Sequence, residues 1–379
     1  MRLRVFTSKS AKVTNFFDKV KFLDASIELL PKRMERSSPP ISATRRRATG
    51  RATLNDVAMA AGVSAITASR ALRGARAVDP LLVEKVQVAA QQLGYVPDPA
   101  ARALASARSA HVVVLIPLLS NALFVELLEA VQHTLAPAGY QTLMGVTHYQ
   151  TAEEDALLRS YLAHRPAGLL VTGLDRSDAA RQLIAASGVP CVHLMETAST
   201  PGVYGVGLSQ IDAARTLTAH LLQRGRRRIA YVAGQLDPRV MQRAEGYRAA
   251  MRAAGCYDPQ LEVLNPAPTS MALGGRLLEE LLARHPDVDA VFFCNDDLAQ
   301  GGLLAALRLQ VAVPQRIAVV GFNDLAGSDQ MLPTLTTIRT PRADIGTQAA
   351  QMLLALMRGQ AVPQSSLDLG FELVVRNST

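Results

Sequence analysis

From residue 111 onward, short apolar segments alternate with amphipathic segments, and this alternation constrains the fold more strongly than any other feature of the chain. Apolar runs of strand length occupy residues 112–117, 141–146, 168–172, 190–194, 229–233, 290–294 and 317–322. Apolar strands that alternate with helices form parallel sheets covered by helices on both faces. Because so many strands exceed one compact sheet, we expect an α/β body made of two doubly wound parallel-sheet lobes.

Residues 53–94 follow a different pattern, which predicts three short helices. Thr53 is placed to cap the first helix, Gly62 suits a left-handed residue at its end, and Ser64 is a natural N-cap for the second. A third helix is predicted over about residues 79–93. The residues expected on its inner side are Leu82, Val83, Val86, Ala89, Ala90 and Leu93. Two short helices joined by a tight turn form a helix-turn-helix, whose second helix can enter the major groove of DNA.

The second helix of this pair has one side for packing and one side that is free to meet a partner. The inward residues are expected to be Val63, Ala68, Ala71 and Leu72, and the outward residues Ala65, Ile66, Ser69, Arg70 and Arg73. Arg70 is long enough to bond guanine O6 and N7, and Ser69 can bond a base or a phosphate. Ala65 and Ile66 can contact a thymine methyl group. An ordinary helical hairpin is the alternative interpretation.

The distribution of charge favours DNA binding over the plain hairpin. The whole chain carries a net charge of +8, but residues 1–110 hold 19 basic and 8 acidic side chains, a net of +11. Residues 111–379 hold 21 basic and 24 acidic side chains, a net of −3. A basic first third joined to a nearly neutral body is typical of a protein with one part that binds a polyanion. Residues 1–52 are expected to form a disordered basic arm, and Met34 is an alternative start site.

Several other classes of protein are disfavoured by what the sequence lacks. Cys191, Cys256 and Cys294 are far apart beside apolar residues, which favours free thiols and excludes zinc spacing. The glycines at 202, 205 and 207 do not have the order of a dinucleotide-binding loop, and the seven histidines show no metal spacing. We therefore expect neither an enzyme nor a bound cofactor. The chain shows no membrane-length apolar run and no export signal, so we expect a cytoplasmic protein.

Beyond these physical features, the N-terminal helices resemble the headpiece of the lac repressor and purine repressor family. The resemblance lies in the runs TLNDVA (53–58), AGVS (61–64), TASRAL (67–72) and LGYVP (93–97), and it continues to residue 379. It implies a DNA-binding domain over residues 53–97, a hinge over 98–109 and a two-lobed effector-binding and dimerisation body over 110–379. The body would resemble periplasmic sugar-binding proteins. A periplasmic carrier would share this body, but it would lack the helix-turn-helix and would need an export signal.

The resemblance also implies how the protein meets DNA. A leucine matching Leu104 would wedge into the minor groove when the hinge folds into a short helix, although a plain linker is the alternative. The expected partner is double-stranded operator DNA, bound by a homodimer or a higher assembly. The full set of residues expected to contact DNA is Thr53, Ser64, Ala65, Ile66, Thr67, Ser69, Arg70, Arg73, Tyr95 and Leu104.

In this family a small effector binds between the lobes, beyond the carboxyl ends of the strands. The residues that match the family's binding positions, or that lie beside them, are Asn121, Phe124, Glu196, Arg239, Arg243, Asn295 and Asn323. One position departs from the family pattern, because Asn323 stands where relatives usually carry an acid. A neutral side chain there removes repulsion for an anion, and Arg243 can pair with a carboxylate. We therefore predict a sugar acid as the effector.

The runs VHLME (192–196), NDDLA (295–299), TPR (340–342) and LDLGF (367–371) resemble gluconate-operon repressors more than other branches of the family. This resemblance implies a repressor of sugar-acid catabolism genes that gluconate, a ketogluconate or a phosphorylated relative releases from DNA. The alternatives are a regulator of the same family that senses a neutral sugar or a nucleobase, and a sugar-binding carrier. Release, rather than tighter binding, is what the resemblance to the gluconate branch implies for the effector's action on DNA binding.

Overall fold

The computed structural model divides the chain into two compact units with a boundary between Tyr95 and Val96. The residues that it describes are 51–74, 78–96 and 109–379. We call the first unit, from residue 51, the headpiece and the second, from residue 109, the body. Most of the predicted arm and hinge, including Leu104, lies outside the described residues.

The headpiece contains the three predicted helices, α1 (Leu54–Ala61), α2 (Ala65–Leu72) and α3 (Pro80–Gln92). The predicted caps are confirmed. The Thr53 hydroxyl accepts from the backbone N–H of Asp56, whose carboxylate accepts from the Thr53 N–H at 2.7 Å. Gly62 ends α1 in the left-handed region at φ +68°, and the Ser64 hydroxyl accepts from the Thr67 N–H at 3.1 Å. These signals end one helix and begin the next within three residues.

A small apolar core holds the three helices together. Val57, Ala68 and Val86 are completely buried, and Ala71, Ala89 and Ala90 are nearly so. The prediction that Leu93 lies on the inner side is wrong, because its side chain is 41% exposed. Helix α3 ends at Gln92, so the chain leaves the helical path before Leu93 and the side chain turns away from the core.

The first lobe of the body is built on a six-stranded parallel sheet with the strand order β11-β5-β4-β3-β1-β2. Its strands are β1 (His111–Ile116), β2 (Gln141–Val146), β3 (Gly168–Thr172), β4 (Cys191–Met195), β5 (Tyr204–Gly207) and β11 (Ser366–Asp368). The helices that cover it are α4 (Leu123–Leu135), α5 (Thr151–Ala163), α6 (Asp178–Ser187) and α11 (Arg342–Met357). Strand β1 pairs with β3 on one side and with the edge strand β2 on the other.

The second lobe is built on a four-stranded parallel sheet with the order β7-β6-β8-β9. Its strands are β6 (Ile229–Gly234), β7 (Glu262–Asn265), β8 (Ala290–Phe293) and β9 (Ala318–Val320). Its helices are α7 (Gln210–Gln223), α8 (Pro238–Ala253), α9 (Met271–Arg284) and α10 (Asp296–Arg308). Strands β10 (Thr337–Arg339) and β12 (Glu372–Val374) form a separate antiparallel pair. The chain passes between the lobes after β5, after β10 and after β11.

The predicted architecture of two doubly wound lobes is confirmed, and so is each of the seven predicted strands, with ends that differ by up to two residues. The strands that the sequence did not predict are β5, β7, β10, β11 and β12, each three or four residues long. They lack a long apolar run: β5 contains two glycines, and β7 begins with Glu262 and ends with Asn265. In the described part of the chain, we find no helix with the length and hydrophobicity that a membrane span requires.

Candidate functional site

The outer face of α2 is the candidate DNA-binding surface. Ile66 is 67% exposed, and Arg70 and Arg73 are also exposed. The Nε of Arg73 donates to the backbone carbonyl of Ser69 at 3.1 Å, so its guanidinium lies along the end of the helix. A long aliphatic side chain and two cations therefore project from one short helix, as recognition of base edges and phosphates requires.

Two residues assigned to this surface pack partly inward instead. Ala65 and Tyr95 are half-buried against the headpiece core, so the prediction that Ala65 points outward is wrong. Ala65 is the first residue of α2, where the chain still lies close to the other helices. The hydroxyls of Ser64 and Thr67 lie 2.9 Å apart and bond each other, and Thr53 is engaged in its capping box. These three hydroxyls shape the helix ends, whatever else they contact.

In the body, Arg243 is the most unusual of the predicted effector residues. It is 4% exposed on α8, and its guanidinium lies 3.9 Å from the centre of the Phe322 ring. Its Nε donates to Gln210 Oε1 at 2.8 Å and its Nη1 to the carbonyl of Cys294 at 2.6 Å. Burial lowers the pKa of Arg243 from its usual value, an effect that Asp237 opposes. Within residues 109–379 this cation forms no ion pair.

Two asparagines flank the groups that hold this guanidinium. Asn295 follows Cys294 at the end of β8, and its Oδ1 accepts from the Leu298 N–H at 3.1 Å as the N-cap of α10. Asn323 follows Phe322, and its Oδ1 accepts from the Thr340 hydroxyl at 3.2 Å. Both asparagines are buried, and neither side-chain NH2 group has an acceptor within residues 109–379. The site therefore combines a cation and two amide groups whose remaining polar atoms are donors.

Arg239 lies one helical turn before Arg243 and has the opposite surroundings. Its guanidinium lies 3.2 Å from Asp237, 3.6 Å from Glu196 and 3.7 Å from Asp175. Its guanidinium also lies 5.9 Å from the ring centre of Tyr149. Burial and Asp237 raise the pKa of the Tyr149 hydroxyl to about 12. Because Asp175, Glu196 and Tyr149 belong to the first lobe, this acidic cluster joins the two lobes.

Glu196 is held in place from both lobes. Its Oε2 accepts from the backbone N–H of Leu174 at 2.9 Å, and its Oε1 accepts from Gln242 Nε2 on α8 at 2.8 Å. Strand β5 passes close behind it, because a Cβ on Gly207 would lie only 2.2 Å from the Glu196 backbone nitrogen. A Cβ on Gly173 would lie 2.5 Å from Arg239 Nη1. Glycine at position 207 therefore permits β5 to pack against Glu196 within the first lobe, and glycine at position 173 permits the close approach of Arg239 from the second lobe.

The structure does not bring Asn121 and Phe124 into direct contact with the two arginines. The Oδ1 of Asn121 accepts from the Leu123 N–H at 3.0 Å and so begins α4, while Phe124 is 1% exposed in the core of the body. Glu126, in the first turn of α4, pairs with Arg342, and Arg342 in turn reaches the second lobe through the backbone carbonyl of Asn323. The prediction that Asn121 and Phe124 line the pocket is untested.

The acids that neighbour the predicted asparagines have structural partners. Asp296 is fully buried and accepts from the Thr337 hydroxyl at 2.7 Å and from the Leu325 N–H at 2.6 Å. Burial raises its pKa to about 6. Asp324 pairs with Arg339 and Arg376, each at 2.8 Å. These acids therefore fix the loop that carries Asn323.

Sequence reasoning missed five residues of this region: Tyr149, Asp175, Gln210, Asp237 and Gln242. Of these, Asp237 had a usable signal, because an acid before Pro238 at a helix start is a typical N-cap. Tyr149 and Asp175 follow strands, Gln210 begins a helix and Gln242 lies inside one, and none of them has distinguishing neighbours. Within the described residues, no group of histidines, cysteines and acids could hold a metal ion.

Together, the helix-turn-helix headpiece and the two-lobed body with a polar interlobe cluster define a class of DNA-binding proteins regulated by small molecules. The profile described as "Bacterial regulatory proteins, lacI family" matches residues 53–98, and the profile described as "Periplasmic binding protein-like domain" matches residues 218–379. The chain is 57% identical over 333 residues to the HTH-type transcriptional regulator GntR of Pseudomonas aeruginosa, covering 88% of this chain and 97% of that protein. The chain belongs to the lacI family of bacterial regulatory proteins, and it is a DNA-binding transcriptional regulator.

Solved structures agree with this assignment. The transcription regulator GntR from Chromobacterium violaceum matches with a TM-score of 0.69 and 47% identity, over 71% of this chain and 98% of that one. The lac repressor dimer bound to operator and the anti-inducer ONPF matches with a TM-score of 0.78 and 26% identity, over 86% of this chain and 99% of that one.

Proposed function

We propose that the protein represses sugar-acid catabolism genes as a homodimer on operator DNA, and that a sugar acid such as gluconate releases it. The observation that carries the choice of effector is the buried Arg243, whose partners in the described body are all neutral. A buried cation without a counter-charge is costly, and a ligand carboxylate supplies that charge through charge-assisted hydrogen bonds. The GntR proteins of P. aeruginosa and Escherichia coli, at 57% and 35% identity, support the same branch of the family.

In this proposal the two ends of the interlobe site have different tasks. The carboxylate of the sugar acid binds Arg243, and the side-chain NH2 groups of Asn295 and Asn323 donate to its oxygens. The hydroxyl groups extend toward Glu196 and Asp175, which accept hydrogen bonds from them. Asn121 and Phe124 contribute the wall on the first lobe, one polar and one apolar.

A neutral sugar is the second candidate effector. It is favoured by the similarity to the regulator CelR in complex with cellobiose, which matches at 30% identity with a TM-score of 0.64. A neutral sugar would, however, leave Arg243 buried without a counter-charge. In either case we propose a cytoplasmic regulator without catalytic activity, in line with relatives that are named as transcriptional regulators.

A matched pair of ligands tests the proposal. Gluconate and glucitol differ only in having a carboxylate or a CH2OH group at one end. We expect isothermal titration of the full chain to show gluconate binding at least about 100-fold more tightly than glucitol, because the loss of a charge-assisted pair costs several kcal/mol. Gluconate should also weaken binding to the operator in a gel-shift titration, with ketogluconate and 6-phosphogluconate run beside it. Equal affinity for gluconate and glucitol would refute a carboxylate-binding site.

A further inference from the structure

One arginine outside the predicted effector set connects Asn323 to the opposite lobe. Arg342 is the first residue of α11, and it is 7% exposed. Its Nη1 donates to the backbone carbonyl of Asn323, and the guanidinium lies 3.4 Å from the carbonyl of Asp324. Two consecutive carbonyls of the second lobe are therefore bound by one side chain that belongs to the first lobe.

The orientation of this guanidinium is set by α4. Glu126 accepts from Arg342 Nε at 3.1 Å and from Nη2 at 2.8 Å, a bidentate pair between residues 216 positions apart. Helix α11 is fixed against α4, because a Cβ on Gly346 would lie 2.4 Å from the carbonyl of Leu127. The backbone of Arg342 is thus held rigidly in the first lobe, while its guanidinium reaches the second lobe.

Asn323 is consequently held at both ends by one crossover segment. Its side-chain Oδ1 accepts from Thr340 at 3.2 Å, and its carbonyl accepts from Arg342. Its backbone lies at φ +111°, a conformation that costs free energy for a residue other than glycine and persists only where neighbours enforce it. Any ligand that displaces Asn323 therefore displaces a carbonyl whose partner is attached to α4.

We propose that Arg342, oriented by Glu126, is the positioning residue that couples the effector site to the first lobe. The inference rests on the proposed function, in which Asn323 binds the effector. A movement of Asn323 changes its contact with Arg342. This change shifts the equilibrium between two arrangements of the lobes. The first lobe follows the DNA-binding part of the chain directly in sequence. The equilibrium between the two lobe arrangements therefore determines the affinity for operator DNA.

A double-mutant cycle on the full chain tests the coupling. The variants are Glu126→Gln, Arg342→Gln and the combination, and Arg308→Gln is the matched control because Arg308 pairs with Glu279 on the surface of the second lobe without reaching the first lobe. Operator affinity is measured by gel shift with and without gluconate, and thermal unfolding checks the fold. Glu126 is 55% exposed in its side chain, so Glu126→Gln is expected to fold even where Arg342→Gln does not.

We expect each single variant and the double variant to shift the operator affinity measured without gluconate by the same factor of about five, and to reduce the gluconate effect by at least that factor. Arg308→Gln should change both quantities by less than about twofold. Unchanged values for Glu126→Gln, or effects that add in the double variant, would overturn the coupling. If gluconate has no effect on the unmodified chain, the proposed effector fails, while the cycle without gluconate still decides the coupling.

Discussion

Arg239 and Arg243 lie one turn apart on the same helix, are equally buried, and have opposite electrostatic surroundings. Arg239 has three carboxylates within 3.7 Å of its guanidinium, whereas Arg243 has a glutamine oxygen, a backbone carbonyl and an aromatic ring. The charge of Arg239 is already compensated by the protein, and it serves to join the lobes. Arg243 has no ion-pair partner in the described body, which is the property expected of a receptor for an anion.

The largest expected effect comes from removing the uncompensated charge. Arg243→Met should weaken gluconate binding by more than about 100-fold, because the carboxylate loses its charge-assisted partner. The fold should be retained, since replacing an unpaired buried cation by an apolar chain removes a desolvation cost. Titration calorimetry measures the affinity. Arg252→Met is the matched control, because Arg252 is an exposed residue of the same helix whose guanidinium lies over Tyr257. Equal losses in the two variants would contradict the assignment.

Removing the compensated charge should instead affect stability. Arg239→Met leaves Asp237 and Glu196 buried without their cation, so we expect the free energy of unfolding to fall by about 2 kcal/mol. The estimate lies below the usual range for a buried pair because Asp175 is 42% exposed in its side chain. Urea unfolding followed by circular dichroism measures the change, with Arg243→Met as the matched comparison. A larger loss of stability in Arg243→Met than in Arg239→Met would contradict the claim that Arg239, and not Arg243, stabilises the fold by its ion pairs.

Local signals in the sequence were sufficient for the headpiece and for the longer strands. Thr53, Gly62 and Ser64 act on residues up to four positions away, so their roles can be recognised without the fold. The same periodicity failed at helix ends, where Ala65 and Leu93 take positions that depend on how the chain enters or leaves the helix. A pattern predicts the face of a helix more reliably than its last turn.

The polar site could be predicted only in part, because its character depends on residues that are distant in sequence. Asn295 and Asn323 were found because each follows a predicted strand at a position that matches the family pattern. Arg243 was found because it matches a family position in the helix that follows β6. The acids around Arg239 were not found together, since Asp175 and Glu196 approach it only when the lobes meet. The pairing of Glu126 with Arg342 across 216 residues has no local signal at all.

The smallest effect is expected when a carboxylate is introduced near Arg243, so that its surroundings become more like those of Arg239. Asn323→Asp places a carboxylate beside the ligand's carboxylate and removes an amide donor, so gluconate affinity should fall by about tenfold while glucitol affinity stays the same or rises. The fold should tolerate the change, because aspartate accepts from Thr340 as asparagine does and is also suited to positive φ. Calorimetry with both ligands measures the effect, and Gln315→Glu adds the same charge at an exposed position of the second lobe as a control. An unchanged gluconate affinity would place the ligand's carboxylate away from Asn323, and the difference between the two arginines would then need a cause other than anion binding.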